Sequence, residues 1–165
     1  MSPAAEPRPR RRLYLDTSAY LCVLLGEEGS SRLARETANA ELLSSVLLVL
    51  EARRNLIRLA REGTLTAAQY KACMERVDQD VDLFVFRDLT LDLCASNLVP
   101  AVATPRSLDL AHLRTALWFH AAERLDRFVT LDASQAQAAR ELGLPVQAAA
   151  VAPPALTPAA AGPRR

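Results

Sequence analysis

Short apolar runs separated by longer amphipathic stretches constrain this chain more than any other feature. Residues 13–15, 42–44, 83–86 and 128–131 are each of strand length, and a stretch of helical character follows each. The run Leu83-Phe-Val-Phe86 has no polar alternation, the pattern of a strand covered on both faces. Strands alternating with helices bury their apolar surfaces as a parallel sheet between helical layers. The expected fold is therefore α/β. A central, mostly parallel sheet of about five short strands carries helices on both faces, with residues 145–147 as a last edge strand.

Cap and stop residues set the expected helix limits. Thr17 or Ser18 is placed to cap a helix over residues 18–25 that Gly26 ends, and Ser30 to cap one running to residue 39. Ser44 and Ser45 are placed to cap a long helix over 46–61 that stops at Gly63. Its expected apolar face is Leu47, Leu50, Leu56, Ile57 and Leu59, while Glu51, Asn55 and Arg58 form a separate polar line. Thr64 or Thr66 opens a helix to residue 80, Thr90 one to residue 98, and Ser107 caps one over 108–123. On that helix Trp118 and Phe119 fall at core spacing, and His120 falls on the surface. A final helix over 133–142 closes at Gly143. Residues 1–11 read as a disordered basic arm, 12–147 as one domain, and 148–165 as a disordered Ala/Pro tail.

Composition narrows the classes further. Half the chain is hydrophobic and 24% is charged, as in an ordinary globular protein. No apolar run approaches the roughly 18 residues of a membrane span, and the arginines at the start lead into no apolar leader. A cytoplasmic protein without a membrane partner is expected. The net charge of +1 gives no global field for nucleic acid. The basic charge is nearly all arginine, though, which forks phosphates bidentately. Cys22, Cys73 and Cys94 are odd in number and widely spaced, so buried free thiols are expected rather than a zinc site or a disulfide framework.

The chemistry lies in the acids. Asp16 and Asp132 each follow a strand, beyond the carboxyl ends where ligands bind in open α/β sheets. Glu51 is in the second turn of a helix after a strand, and Asp109 is in a first turn. Each has a bland reading alone, as a cap, a macrodipole partner or a surface group.

Together they carry a likeness. Asp16-Thr17-Ser18, Val49-Leu-Glu51-Ala-Arg-Arg, Ser107-Leu-Asp109-Leu-Ala-His112-Leu-Arg-Thr-Ala116 and Val129-Thr130-Leu-Asp132, in that order, resemble the PIN-domain ribonucleases. The spacing is most similar to the VapC toxins of toxin–antitoxin pairs. The chain departs from that pattern at Leu110 and Arg114, where small residues are usual.

The resemblance implies a PIN-like three-layer sandwich and a metal-dependent endoribonuclease. Asp16, Glu51, Asp109 and Asp132 would be its catalytic and metal-binding acids, Asp16 and Asp109 as direct ligands of Mg²⁺ or Mn²⁺. Thr17 and Ser18 would be supporting polar groups. It also implies an RNA substrate, a cognate antitoxin protein and a homodimer formed through the helices between Ser30 and Asp80. Arg53, Arg54, Arg58 and Arg106 are candidates to line an RNA groove, because phosphate contacts supply sequence-independent affinity. His112, at i+3 from Asp109, is expected to be a helix-packing histidine. An RNA-maturation nuclease outside a toxin–antitoxin pair and a catalytically silent RNA- or protein-binding module remain alternatives. A haloacid-type phosphatase would need an Asp two residues past Asp16, where Ser18 stands.

Overall fold

The computed structural model describes residues 10–95, 102 and 106–146. Among these, the chain is α/β, with a four-stranded, all-parallel sheet. The strands are β1 (Arg11–Leu15), β2 (Ala40–Ser45), β3 (Phe84–Arg87) and β4 (Arg127–Val129), in the order β3-β2-β1-β4. The helices are α1 (Thr17–Leu25), α2 (Ser30–Thr37), α3 (Leu47–Arg61), α4 (Ala67–Asp80), α5 (Leu91–Ala95), α6 (Ser107–Ala122) and α7 (Ala133–Glu141). Residues 1–9 of the expected arm, the expected tail and the end of the helix expected to reach residue 98 lie outside the described residues. Arg11 already belongs to β1.

Strand alternation divides the core into two faces. Tyr14 lies in register with Leu43 on one side and Phe128 on the other. This row packs against Leu113, Ala116 and Phe119 of α6 and Ala138 and Ala139 of α7. Tyr14 and Phe128 stack with ring centroids 5.3 Å apart. On the opposite face, Leu13, Leu15 and Val129 meet Ala19 and Cys22 of α1 and Leu33 of α2. A third cluster joins Tyr20 of α1, Leu48, Ala52 and Leu56 of α3, and Val77 of α4, with Phe84 and Phe86 against it. Helices thus cover both faces of the sheet.

Several expectations are corrected. The sheet has four strands rather than five. Pro145 contributes only a carbonyl, which accepts from the Phe128 N–H at 2.7 Å, and no ladder forms at Pro145 or Val146. β3 pairs only with β2, so it is an edge and not a strand buried on both faces; Val85 is 49% exposed. On α3, the i, i+4, i+8 row Leu48, Ala52 and Leu56 faces the core beside Leu47. Leu50 and Ile57 point to solvent instead, Leu50 being 64% exposed.

The caps also differ. Asp16, not Thr17 or Ser18, caps α1, through Ala19 N–H to its carboxylate at 2.9 Å. Gly29 and Arg106 precede α2 and α6 with no side-chain cap, leaving Ser30 and Ser107 inside those helices. Of the two threonines before α4, Thr66 is the cap, in a reciprocal capping box with Gln69.

Trp118 is exposed, with the Arg87 guanidinium 4.8 Å from its ring centroid, while its neighbour Phe119 is buried. His120 is half-buried and accepts the Leu125 N–H at 3.1 Å. All three thiols are free, but Cys94 is exposed and Cys73 half-buried; only Cys22 is buried. Arg114 turns to the end of α5 and donates to the carbonyls of Leu93 and Cys94.

The packing predicts unequal costs for two truncations. Phe128→Ala, which removes the partner of the Tyr14 stack, should lose about 3–5 kcal/mol of unfolding free energy in urea. Leu50→Ala should stay within about 0.5 kcal/mol of wild type. Equal losses would contradict the assignment of buried and exposed faces.

Candidate functional site

Parallel strands that all end on one side put their carboxyl ends along a single edge, and the loops there open a cleft. Asp16, Glu51, Asp109 and Asp132 all line it, with Thr17, Ser18, Arg54, Asn55, Arg106, His112 and Gln135. Its volume is about 750 Å³. A smaller cleft bordered by Leu21, Leu25, Leu59, Leu131 and Arg58 adjoins it and shares Ser18, Asn55 and Asp132.

Asp16 sits where the central strand β1 ends, 3% exposed. Its N–H bonds to Val129 O at 3.1 Å, tying it to β4. Its carboxylate accepts from the Thr130 hydroxyl at 2.6 Å, the Ser18 hydroxyl at 2.7 Å and the Ala19 N–H at 2.9 Å. Burial pushes its pKa up in spite of those three bonds and of nearby His112. Desolvation wins because the charged form loses more hydration than these donors return.

Glu51 projects from α3, and its carboxylate takes the Thr17 hydroxyl at 2.6 Å and His112 Nε2 at 2.9 Å. Burial raises its pKa, but the bonds from His112 and Thr17 outweigh this, and the carboxyl is held below its ordinary range. An ionised carboxylate only accepts, so Nε2 carries the hydrogen. His112 Nδ1 then accepts from Tyr14 OH at 2.9 Å, and burial keeps that phenol protonated. A buried chain Tyr14–His112–Glu51 thus fixes the acid. His112 packs its helix, as expected, and also holds a site residue.

Asp132 caps α7, taking the N–H groups of Ser134 at 2.8 Å and Gln135 at 3.0 Å. The Gln135 N–H foremost, with Arg106 and the Ser134 N–H, outweighs burial and lowers its pKa. The strand ends at Val129, so Thr130 and Leu131 separate it from Asp132. Asp109 lies in the first turn of α6. Arg106 bridges these two acids, with Nε to Asp109 at 2.7 Å and Nη2 to Asp132 at 2.5 Å.

The four groove arginines part company. Arg54 and Arg106 line the main cleft and Arg58 the smaller one. Arg53 turns away to pair with Asp78 of α4, and Arg58 is paired with Glu62 at 2.9 Å. Sequence reasoning missed Thr130 and Gln135. Thr130 links Asp16, the Asp132 N–H and Gln135 Oε1, and it stands two residues before Asp132. Gln135 stands at i+3 from that acid. Those spacings were the available signal.

The donor chemistry is that of a hard divalent cation, since four carboxylates and the hydroxyls of Thr17, Ser18 and Ser107 offer oxygen. Among the described residues, no three His, Cys, Asp or Glu side chains are gathered tightly enough to hold an ion as they stand. The acids are engaged by protein donors, and Arg106 supplies the positive charge between two of them. No family model matches the chain, and no curated protein matches it.

The Asp16 environment makes a testable statement about pH. A carboxyl whose pKa is raised by folding favours the fold below its unfolded pKa, and this advantage is lost as pH rises through the folded value. An asparagine at this position keeps the cap to Ala19 and can donate to Thr130, whose own hydrogen then serves Gln135. In chelator at pH 7, Asp16→Asn should therefore melt above wild type. The gap should close as pH falls below the ordinary carboxylate range. A lower melting point at pH 7, or a pH-independent gap, would contradict the assignment.

Proposed function

We propose that the chain is a metal-dependent endoribonuclease of the PIN-domain kind, acting as the toxin of a toxin–antitoxin pair. The observation that carries this reading is the convergence of Asp16, Glu51, Asp109 and Asp132, from four separate parts of the sequence, on one cleft at the carboxyl edge of the sheet. Burying acids together is costly: two carboxylates about 5 Å apart repel by roughly 3 kcal/mol at an effective dielectric near 20. A divalent cation reverses the sign of that term.

In this reading Asp16 and Asp109 would hold Mg²⁺ or Mn²⁺ directly, and Glu51 and Asp132 would bind it through water or position a second ion. The ion supplies Lewis-acid polarisation of the phosphodiester and acidifies water. The protein's own contribution is placement. Ser18 and Thr130 aim Asp16, and His112 and Thr17 keep Glu51 ionised and facing the cleft, where it can orient a water. Attack by water on phosphorus breaks the P–O3′ bond, and the 3′ oxygen leaves with a proton, giving a 5′-phosphate and a 3′-hydroxyl. Arg54, on the cleft wall, supplies positive charge for the RNA backbone.

The partners belong to the same proposal. A cognate antitoxin would cover the cleft. A second copy would meet this one through the helices between Ser30 and Asp80, where Leu50 and Ile57 are exposed apolar side chains. A cytoplasmic setting without a membrane partner completes the reading. No helix of the described residues is long and apolar enough to cross a membrane.

The test is cleavage of labelled single-stranded RNA. Wild type should cut only with Mg²⁺ or Mn²⁺ and leave 5′-phosphate ends, and Asp16→Asn should cut about a hundredfold more slowly or worse. Equal cutting by both proteins, or none by either, removes the nuclease reading; RNA binding without cutting would leave a binding module.

A further inference from the structure

We infer that Arg106 is the resident counter-ion of the cleft, which a divalent cation must displace and which is then free to grip an RNA phosphate. The inference rests on the metal-dependent reading above and gives Arg106, one of the expected groove arginines, a second role as the group that the ion replaces.

Arg106 is the cap position of α6, its carbonyl accepting the Leu110 N–H at 3.1 Å, while its side chain spans to a different element. One guanidinium holds Asp109 through Nε and Asp132 through Nη2, joining α6 to the cap of α7. A planar fork suits two carboxylates presented side by side. These acids flank the opening into which Asp16 and Glu51 also face. Arg106 therefore does the electrostatic work of a cation on two of the four acids.

Its exposure is the highest among the arginines that hold acids on other elements, above the 40% of Arg53 on Asp78. The Arg106 side chain is 61% exposed, against 11% for Arg12 on Glu41 and 15% for Arg127 on Glu36. Those two are packed in place, whereas Arg106 is held by its charged bonds. Its release costs those bonds and little buried surface. A divalent ion carries twice its charge and accepts the same oxygens. Once released, the guanidinium stays tethered at the rim by its backbone, within reach of an anion entering the cleft. The exchange makes metal binding and phosphate binding cooperative, because the ion liberates the group that binds the phosphate.

The test is Mn²⁺ titration of the full chain, read by the loss of the free-ion paramagnetic resonance signal, for wild type, Arg106→Gln, Arg106→Lys and Arg54→Gln. Removing a competitor should tighten binding about tenfold in Arg106→Gln, with Arg106→Lys between it and wild type. Arg54→Gln reports the effect of deleting any cleft charge and should shift affinity far less. In chelator, Arg106→Gln should melt below wild type, and saturating Mn²⁺ should erase the difference. Unchanged or weaker Mn²⁺ binding in Arg106→Gln, or an equal gain in Arg54→Gln, overturns the exchange while leaving the metal site standing. No Mn²⁺ binding by any of the four proteins overturns both.

Discussion

A carboxylate buried at the end of the central strand is the constraint on which the rest of this structure depends. Asp16 belongs at once to β1, whose hydrogen bonding it extends to β4, and to α1, which it caps. A buried charge demands donors, and the chain supplies them from both sides: Ser18 and Ala19 from α1, Thr130 from the loop after β4. Ser18 also accepts the Leu131 N–H at 2.8 Å, so the same small network positions the loop leading to Asp132. Two acids from opposite ends of the domain are thereby held in one frame. The packed row Phe128–Tyr14–Leu43 beneath them keeps the strands in register.

The cleft is organised by charge balance more than by apolar packing. Each acid has its own remedy for burial. Asp16 keeps a raised pKa, Glu51 borrows donors from His112 and Thr17, and Asp132 sits on the N–H groups at a helix start. Arg106 joins Asp109 to Asp132 across two helices. Such an arrangement adds little net stability, because the Arg106 pairs are open to solvent and the buried Asp16 carboxyl costs desolvation. Under the proposed metal-dependent reading, the protein's donors hold the acids around one cleft until a cation replaces some of them.

Much of this was legible in the sequence, for identifiable reasons. The parallel α/β architecture follows from apolar runs alternating with capped helices, a signal carried by many residues at once. Glycines such as Gly26 and Gly63 marked helix ends because both adopt positive φ. The expected face of α3 is mistaken although the signal is present: Leu48, Ala52 and Leu56 recur at i, i+4 and i+8, whereas Leu50 and Ile57 fall among Arg53, Arg54 and Arg61. The fifth strand failed at Pro145, which has no N–H to extend a ladder. The acids could be nominated singly from their places after strands and in first turns. What sequence could not give was the second layer. Tyr14 reaching His112, and Thr130 reaching Asp16, are contacts over 98 and 114 positions that only the folded sheet creates.

The most direct test of this account is anomalous diffraction from crystals soaked in Mn²⁺, collected at the manganese edge. A peak is expected inside the cleft bonded to the Asp16 carboxylate, with the Arg106 guanidinium moved off Asp109 or Asp132. Peaks confined to surface carboxylates at saturating Mn²⁺, with Arg106 still bridging its two acids, would contradict it.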